Sequence, residues 1–231
     1  MSNSLIVTTD DGSFNAYIAR PALTPAPVVV VIQEIFGVTG GLRSIADDLA
    51  SDGFIAVCPD LFWRLEPGLE LSEHDEADWK KALALYSSFD IDAGVRDIAA
   101  TIAAARRLPE TTGKTGVIGF CLGGLMSFLT SAREDVDAAV DYYGGRTDEF
   151  VGEAVLSTTP LLLHLAGNDA FMDQNAQKKI SATLRDNRNV EIIRYPGRDH
   201  AFARPRGGHY HADDALRANT RTHTFLKEHL F

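Results

Sequence analysis

The sequence predicts an α/β fold: a mostly parallel sheet with helices on both faces, forming a single domain over residues 1–231. Three observations carry this expectation. Short runs rich in Val, Ile and Leu alternate with segments of helical spacing through most of the chain, the pattern of βαβ units. The runs are continuous rather than alternating, as in strands covered on both faces. No repeat, low-complexity tract or long linker divides the 231 residues, a length at which α/β folds are often one domain.

Thr8 to Ala19 reads as a hairpin, because Asp10-Asp11-Gly12 is a turn signal between β-prone stretches. Val28 to Ile32 is a buried strand. Gly40-Gly41 is expected to break the chain before a helix over Leu42 to Ala50, which Gly53 ends. Phe54 to Cys58 is a second buried strand, stopped by Pro59. Helices follow over Glu73 to Ser88 and Ile91 to Leu108, the latter ended by Pro109. The remaining strands are expected over Thr115 to Gly119, Val136 to Tyr142, Pro160 to Leu165 and Val190 to Tyr195. Helices are expected over Leu122 to Ala132, Gln174 to Arg185 and Asp213 to Leu230. In such a sheet the chemistry gathers at the carboxyl ends of the strands.

Composition narrows the function. Hydrophobic content is 45% and charged content 23%, ordinary for a globular chain. The formal net charge of -10 disfavours binding to nucleic acid or anionic membranes through bulk electrostatics. A locally basic site for an anionic substrate stays open. Met1 to Asp10 lacks the basic start and apolar run of a signal peptide, and the longest apolar run, Pro27 to Ile32, is too short to span a bilayer. The two cysteines, Cys58 and Cys121, are far apart, so the expectation is a reducing cytoplasm, no disulfide and one working thiol.

Cys121 is that thiol. Gly119-Phe120-Cys121-Leu122-Gly123-Gly124 follows a strand and opens a helix. This is the elbow of α/β-hydrolases, with cysteine in the serine position. Glycines are needed because a nucleophile on a tight, strained turn leaves no room for side chains two residues away. The helix N-terminus is expected to favour the thiolate, and the Leu122 N–H to stabilise an oxyanion. The alternative is a structural cysteine beside packing glycines. Cys58, which ends an apolar strand without a glycine turn, reads as core.

In this fold the chain order is nucleophile, acid, histidine. Leu161 to Leu165 runs into Ala166-Gly167-Asn168-Asp169, and the strand ending at Tyr195 runs into Gly197-Arg198-Asp199-His200. Asp169 is the acid and His200 the base, on the same sheet edge as Cys121. Asp169 could instead be a turn residue or cap, and Asp173 is a rival acid that looks more like an N-cap. His164, inside a strand, reads as a satisfied core histidine. His74, His223 and His229 fall on polar helix faces. His200, His209 and His211 match no established metal-ligand spacing, and Gly113-Lys114-Thr115 lacks the upstream glycine of a phosphate loop. No metal and no organic cofactor are implied.

With these positions in place, the sequence resembles the dienelactone hydrolase (carboxymethylenebutenolidase) family over nearly its whole length. The marks are Gln33-Glu34-Ile35-Phe36-Gly37, Pro59-Asp60-Leu61-Phe62, the Cys121 elbow, Tyr142-Tyr143-Gly144 and His200-Ala201-Phe202-Ala203-Arg204. The resemblance implies a Cys121–His200–Asp169 triad, a buried Glu34 that governs the charge of the thiol, and Ile35 and Leu122 as oxyanion donors. It also implies Arg204 as the clamp on a substrate carboxylate, with Phe36, Tyr143 and Phe171 lining the pocket. It favours a monomer and a place in the breakdown of aromatic compounds, and the sequence shows no large insertion to serve as a lid domain. Two family positions, an arginine and a tyrosine that bind substrate, are Trp79 and Leu83 here. Lys80 or Lys81 could partly substitute, without the bidentate fork of arginine. Ala201 stands where a serine is familiar. The expected reaction is hydrolysis of a small lactone or ester, dienelactone to maleylacetate. A thioesterase or acyltransferase on the same scaffold, or a non-enzymatic thiol sensor, are the rivals.

Overall fold

The computed structural model describes residues 3–231. The strands are β1 (Ser4–Thr9), β2 (Gly12–Ala19), β3 (Ala26–Ile32), β4 (Ile55–Pro59), β5 (Thr111–Phe120), β6 (Ala138–Tyr142), β7 (Leu161–Ala166) and β8 (Val190–Tyr195). The helices are α1 (Gly40–Ser51), α2 (Glu76–Ser87), α3 (Ile91–Arg106), α4 (Leu122–Arg133), α5 (Thr147–Phe150), α6 (Gln174–Leu184) and α7 (Ala212–Leu230). The strands are hydrogen-bonded in the order β1-β2-β4-β3-β5-β6-β7-β8. β2 pairs antiparallel with β1 and with β4, while β3 with β4, β6 with β7, and β7 with β8 pair parallel. The mostly parallel α/β expectation is met. The chain divides into two compact units, residues 1–116 and 117–231. Among the described residues no helix is long and apolar enough to cross a membrane.

In the first unit the hairpin closes at Thr9 opposite Gly12, leaving Asp10 and Asp11 as a two-residue loop. Every residue of β3 and β4 is buried, which explains their unbroken apolar runs. Gly40 and Gly41 do not break the chain. They are the first residues of α1, because the Thr39 hydroxyl accepts the Leu42 N–H and caps the helix. Asp75 and Asp90 cap α2 and α3 in the same way, so α2 starts later than its apolar pattern suggested. Beyond β3, the buried Gln33 side chain accepts the Leu61 N–H at 3.0 Å. The Asp60 carboxylate accepts the N–H groups of Phe62 and Gly68. Gly37 sits at φ +85, with the Leu69 carbonyl only 2.0 Å from where a Cβ would lie. These bonds pin the loops after β3 and β4 to one another and so fix Glu34, Ile35 and Phe36 at the carboxyl end of β3.

In the second unit β5 runs through a sharp turn into α4, a helix buried along most of its length. The register sets Tyr142 opposite His164 and Ala166 opposite Tyr195, so β6, β7 and β8 deliver their following loops to one edge. A satisfied polar network lies beneath. His164 bonds Tyr195 Oη and Thr222 Oγ1, both at 2.9 Å, and the Tyr142 hydroxyl reaches Thr222 and Asn219. Burial, helped by Arg221 and Arg217, pushes His164 down to about 3, so it stays neutral, as a core histidine should. The short helix α5 and the 3₁₀ turn Val151–Ala154 that follows were not anticipated. Each is four residues long, too short to show a helical period.

Gln33→Leu leaves the buried Leu61 N–H without an acceptor. The urea midpoint is expected to fall by the equivalent of about 1–3 kcal/mol with the circular dichroism spectrum unchanged.

Candidate active site

Cys121 ends β5 and caps α4 with φ 56 and ψ -115, a region that costs an L-residue of order 1–3 kcal/mol. Close packing enforces it. A Cβ on Gly119 would lie 1.8 Å from the Gly123 carbonyl oxygen, and one on Gly124 2.6 Å from the Tyr142 oxygen. The Cys121 N–H donates to that Tyr142 carbonyl at 3.0 Å. The thiol is half-buried, hence reachable, whereas Cys58 is fully buried and desolvation pushes its thiol far up. Leu122 is the first residue of α4, where backbone N–H groups have no intrahelical acceptor.

The loops after β7 and β8 are laced together. Gly167 N–H donates to Tyr195 O at 2.9 Å and Asn168 N–H to Arg198 O at 2.8 Å. A Cβ at Gly167 would lie 2.9 Å from Tyr195 O, so only glycine allows this approach. Gln177 braces the first loop through Ala166 O and Met172 O, with Gln174 on Gly167 O. His209 holds the second by a 3.1 Å bond from its Nδ1 to His200 O.

Asp169 and His200 meet as a result. His200 Nδ1 lies 3.0 and 2.9 Å from the two carboxylate oxygens, and Asp169 Oδ1 also accepts the Phe171 N–H at 2.8 Å. Both side chains are nearly sealed from solvent. Nε2 of His200 is buried, and the ring interacts with Cys121 as well as with Asp169. Burial is the largest influence on this ring and favours its neutral form. The charge on Cys121 and the bond to Asp169 outweigh it, so His200 titrates well above its ordinary 6.5. Tyr143, fully buried at φ 45, sets its ring edge-on to His200 at 5.1 Å, and Phe171 does so at 4.8 Å from a half-exposed position.

The other expected residues sort clearly. Arg204 is half-buried, its N–H on the Ala201 carbonyl. Glu34, Ile35 and Phe36 belong to the first unit. Glu34 is half-buried rather than buried, while Ile35 and Phe36 are buried. Trp79 meets Phe36 edge-on at 5.1 Å, and Leu83 is exposed. Lys81 is paired with Glu66 at 2.6 Å, and Lys80 is exposed. Asp173 caps α6 through Asn175 and Ala176, and His211 caps α7. Among the described residues no cluster of metal-ligating side chains occurs.

Sequence reasoning missed Asp141. It is fully buried in β6, and desolvation raises its carboxyl to about 7. The available signal was a carboxylate inside an otherwise apolar strand, Ala138-Ala139-Val140-Asp141-Tyr142.

Asp169→Asn removes the anion that orients and charges His200. The expected outcome is a drop in kcat of about 10²–10⁴-fold and a downward shift of the His200 titration followed by ring-proton NMR. In the wild type the raised His200 value stabilises the fold fully below the unfolded value of about 6.5. That contribution is lost as pH climbs through the higher folded value, so the melting temperature should decline on the alkaline side, and decline less in Asp169→Asn.

Comparison with known proteins identifies the family. The model of the dienelactone hydrolase family matches residues 14–230. The chain is 43% identical to a protein of Azospirillum brasilense over 231 residues, 100% of both chains. It is 38% identical to the carboxymethylenebutenolidase of Pseudomonas putida over 96% of this chain and 94% of that one. A solved structure from Klebsiella pneumoniae superposes with a TM-score of 0.84 at 26% identity, covering 97% of each chain.

Proposed function

The chain belongs to the dienelactone hydrolase family and is a hydrolase acting on lactones or esters, and we propose that it opens a small lactone, dienelactone to maleylacetate, by covalent catalysis through Cys121. One observation supports this above all. His200 turns one nitrogen to the Asp169 carboxylate, keeps the other buried, and interacts with Cys121, which sits on a strained turn.

The chemistry follows. The Cys121 thiolate adds to the lactone carbonyl, and the oxyanion takes hydrogen bonds from the Leu122 N–H and, as the family resemblance implies, the Ile35 N–H. The C–O bond of the ring breaks, and the leaving oxygen, still tethered to the acyl group, takes a proton from the His200 imidazolium. Water then adds to the acyl-thioester as His200 Nε2 removes its proton. Collapse releases the carboxylic acid and restores the thiolate and imidazolium. Glu34 carries the role the resemblance gives it, control of the thiol's charge before substrate arrives.

Arg204 is the anchor for a substrate carboxylate. Lys81 is occupied by Glu66, and the Trp79 position contributes an aromatic ring that packs on Phe36. The resemblance puts a second substrate-binding arginine at position 79, where this chain has Trp, so neutral lactones and esters are expected to be accepted more readily than by members that carry that arginine.

The test is the hydrolysis rate of a carboxylate-bearing dienelactone against its neutral methyl ester, followed by ultraviolet absorbance. Cys121→Ala, correctly folded, is expected to lose all turnover of both. A variant that kept full activity would overturn the covalent mechanism. Arg204→Ala is expected to raise KM for the acid about tenfold or more, the loss of one charge-assisted bond, and to leave KM for the ester within about twofold. Equal effects on the two substrates would remove Arg204 from the anion site.

A further inference from the structure

The mechanism above leaves unused the buried carboxyl of Asp141. Its Oδ1 accepts the Gly144 N–H at 2.7 Å and its Oδ2 the Thr147 hydroxyl at 3.1 Å. The space it occupies exists because two neighbours are glycines. A Cβ on Gly124 would lie 2.4 Å from Oδ1, and one on Gly144 2.6 Å. The carboxyl thus fills a gap between the first turn of α4 and the Tyr142-Tyr143-Gly144 turn.

That turn touches both reacting groups. The Tyr142 carbonyl receives the Cys121 N–H, and the Tyr143 ring rests edge-on against His200. Tyr143 is held at φ 45 with its N–H on His164 O at 2.9 Å, a conformation that persists only when its surroundings impose it. We propose that Asp141 is a positioning residue for the Cys121–His200 pair: its carboxylate ties the turn that carries Tyr142 and Tyr143, and so sets the nucleophile and the base together. This rests on the reading of Cys121 and His200 given above.

The surroundings make the charge of this group variable. Burial raises the acid most, opposed by the bonds from Gly144 and Thr147, and the net value is about 7. Asp169 raises it further and His200 lowers it. On α5, Asp148 faces Lys179 and Glu149 pairs with Arg146, so these charges are engaged at the surface. From α4 the facing residue is Gly124, and the residue opposite on β7 is the apolar Leu163. Since His200 favours ionised Asp141, an ionised Asp141 favours the His200 imidazolium by the same amount.

The experiment follows the alkylation rate of Cys121 by iodoacetamide against pH, read by mass spectrometry of the intact protein. Cys58 is fully buried and does not compete. In the wild type the profile is expected to carry an inflection near 7, separate from the limb set by His200. Asp141→Asn, which keeps the shape and removes the ionisation, should erase it. Thr147→Val, which takes a hydrogen bond from the ionised form, should move it to higher pH. A wild-type profile without the inflection, or variant profiles that superimpose on it, overturn the proposal. If Asp141→Asn does not fold, Thr147→Val decides alone. Because the reading needs no turnover, the expected profile would support the positioning role even in a protein that hydrolysed neither lactone nor ester.

Discussion

The rest of the second unit is arranged around one backbone constraint, the left-handed conformation of Cys121. A side chain held there is lifted off the sheet edge at the start of a helix, and nothing local stabilises it. Its strain is offset by neighbours that can only be glycine, Gly119 and Gly124, and by one hydrogen bond to Tyr142. Tyr143 and Ala201 share the positive φ, one beside the nucleophile turn and one beside the base. Strain is concentrated where chemistry is proposed, as expected when a rigid surround over-determines a few residues.

The electrostatics complete the arrangement. A histidine this deeply buried would ordinarily be neutral, as His164 is one strand away. His200 and His164 differ little in burial, but His164 faces two hydroxyl groups and His200 faces a carboxylate and the Cys121 thiol. The same side chain is therefore held neutral in one place and raised in its titration in the other. The partner, rather than the burial, decides the role.

Much of this was legible in the sequence because each element carries its own local signal. The β3 and β4 runs, the Asp10-Asp11-Gly12 turn and the Gly-x-Cys-x-Gly elbow are specified by neighbours only a few residues away. The Gly40-Gly41 pair misled because a cap residue, Thr39, outweighs the poor helix propensity of glycine. Short α5 was invisible because four residues contain no period. Asp141 and the bracing residues Gln33 and Gln177 were missed for a different reason. Their partners are main-chain N–H and C=O groups from 3 to 28 residues away, and no pattern along the chain marks such a bond. Pocket composition lay between these cases: the substitution at position 79 was visible, but the Phe36 contact and the Lys81–Glu66 pair that give it meaning were not.

The lacing of the Gly167–Asp169 and Gly197–His200 loops bears on how the molecule fails. Main-chain bonds join these two loops into one piece, while Cys121 hangs from α4. In a local opening of this edge Asp169 and His200 would move as a body and keep their own bond, parting from Cys121. The two loops themselves carry Gly, Asn, Asp, Arg and His rather than apolar side chains, so such an opening would lie beneath loss of the β3 and β4 core. Heat or denaturant would then silence the protein before it melts. The surviving Asp169–His200 pair would serve as a template on which the elbow closes again.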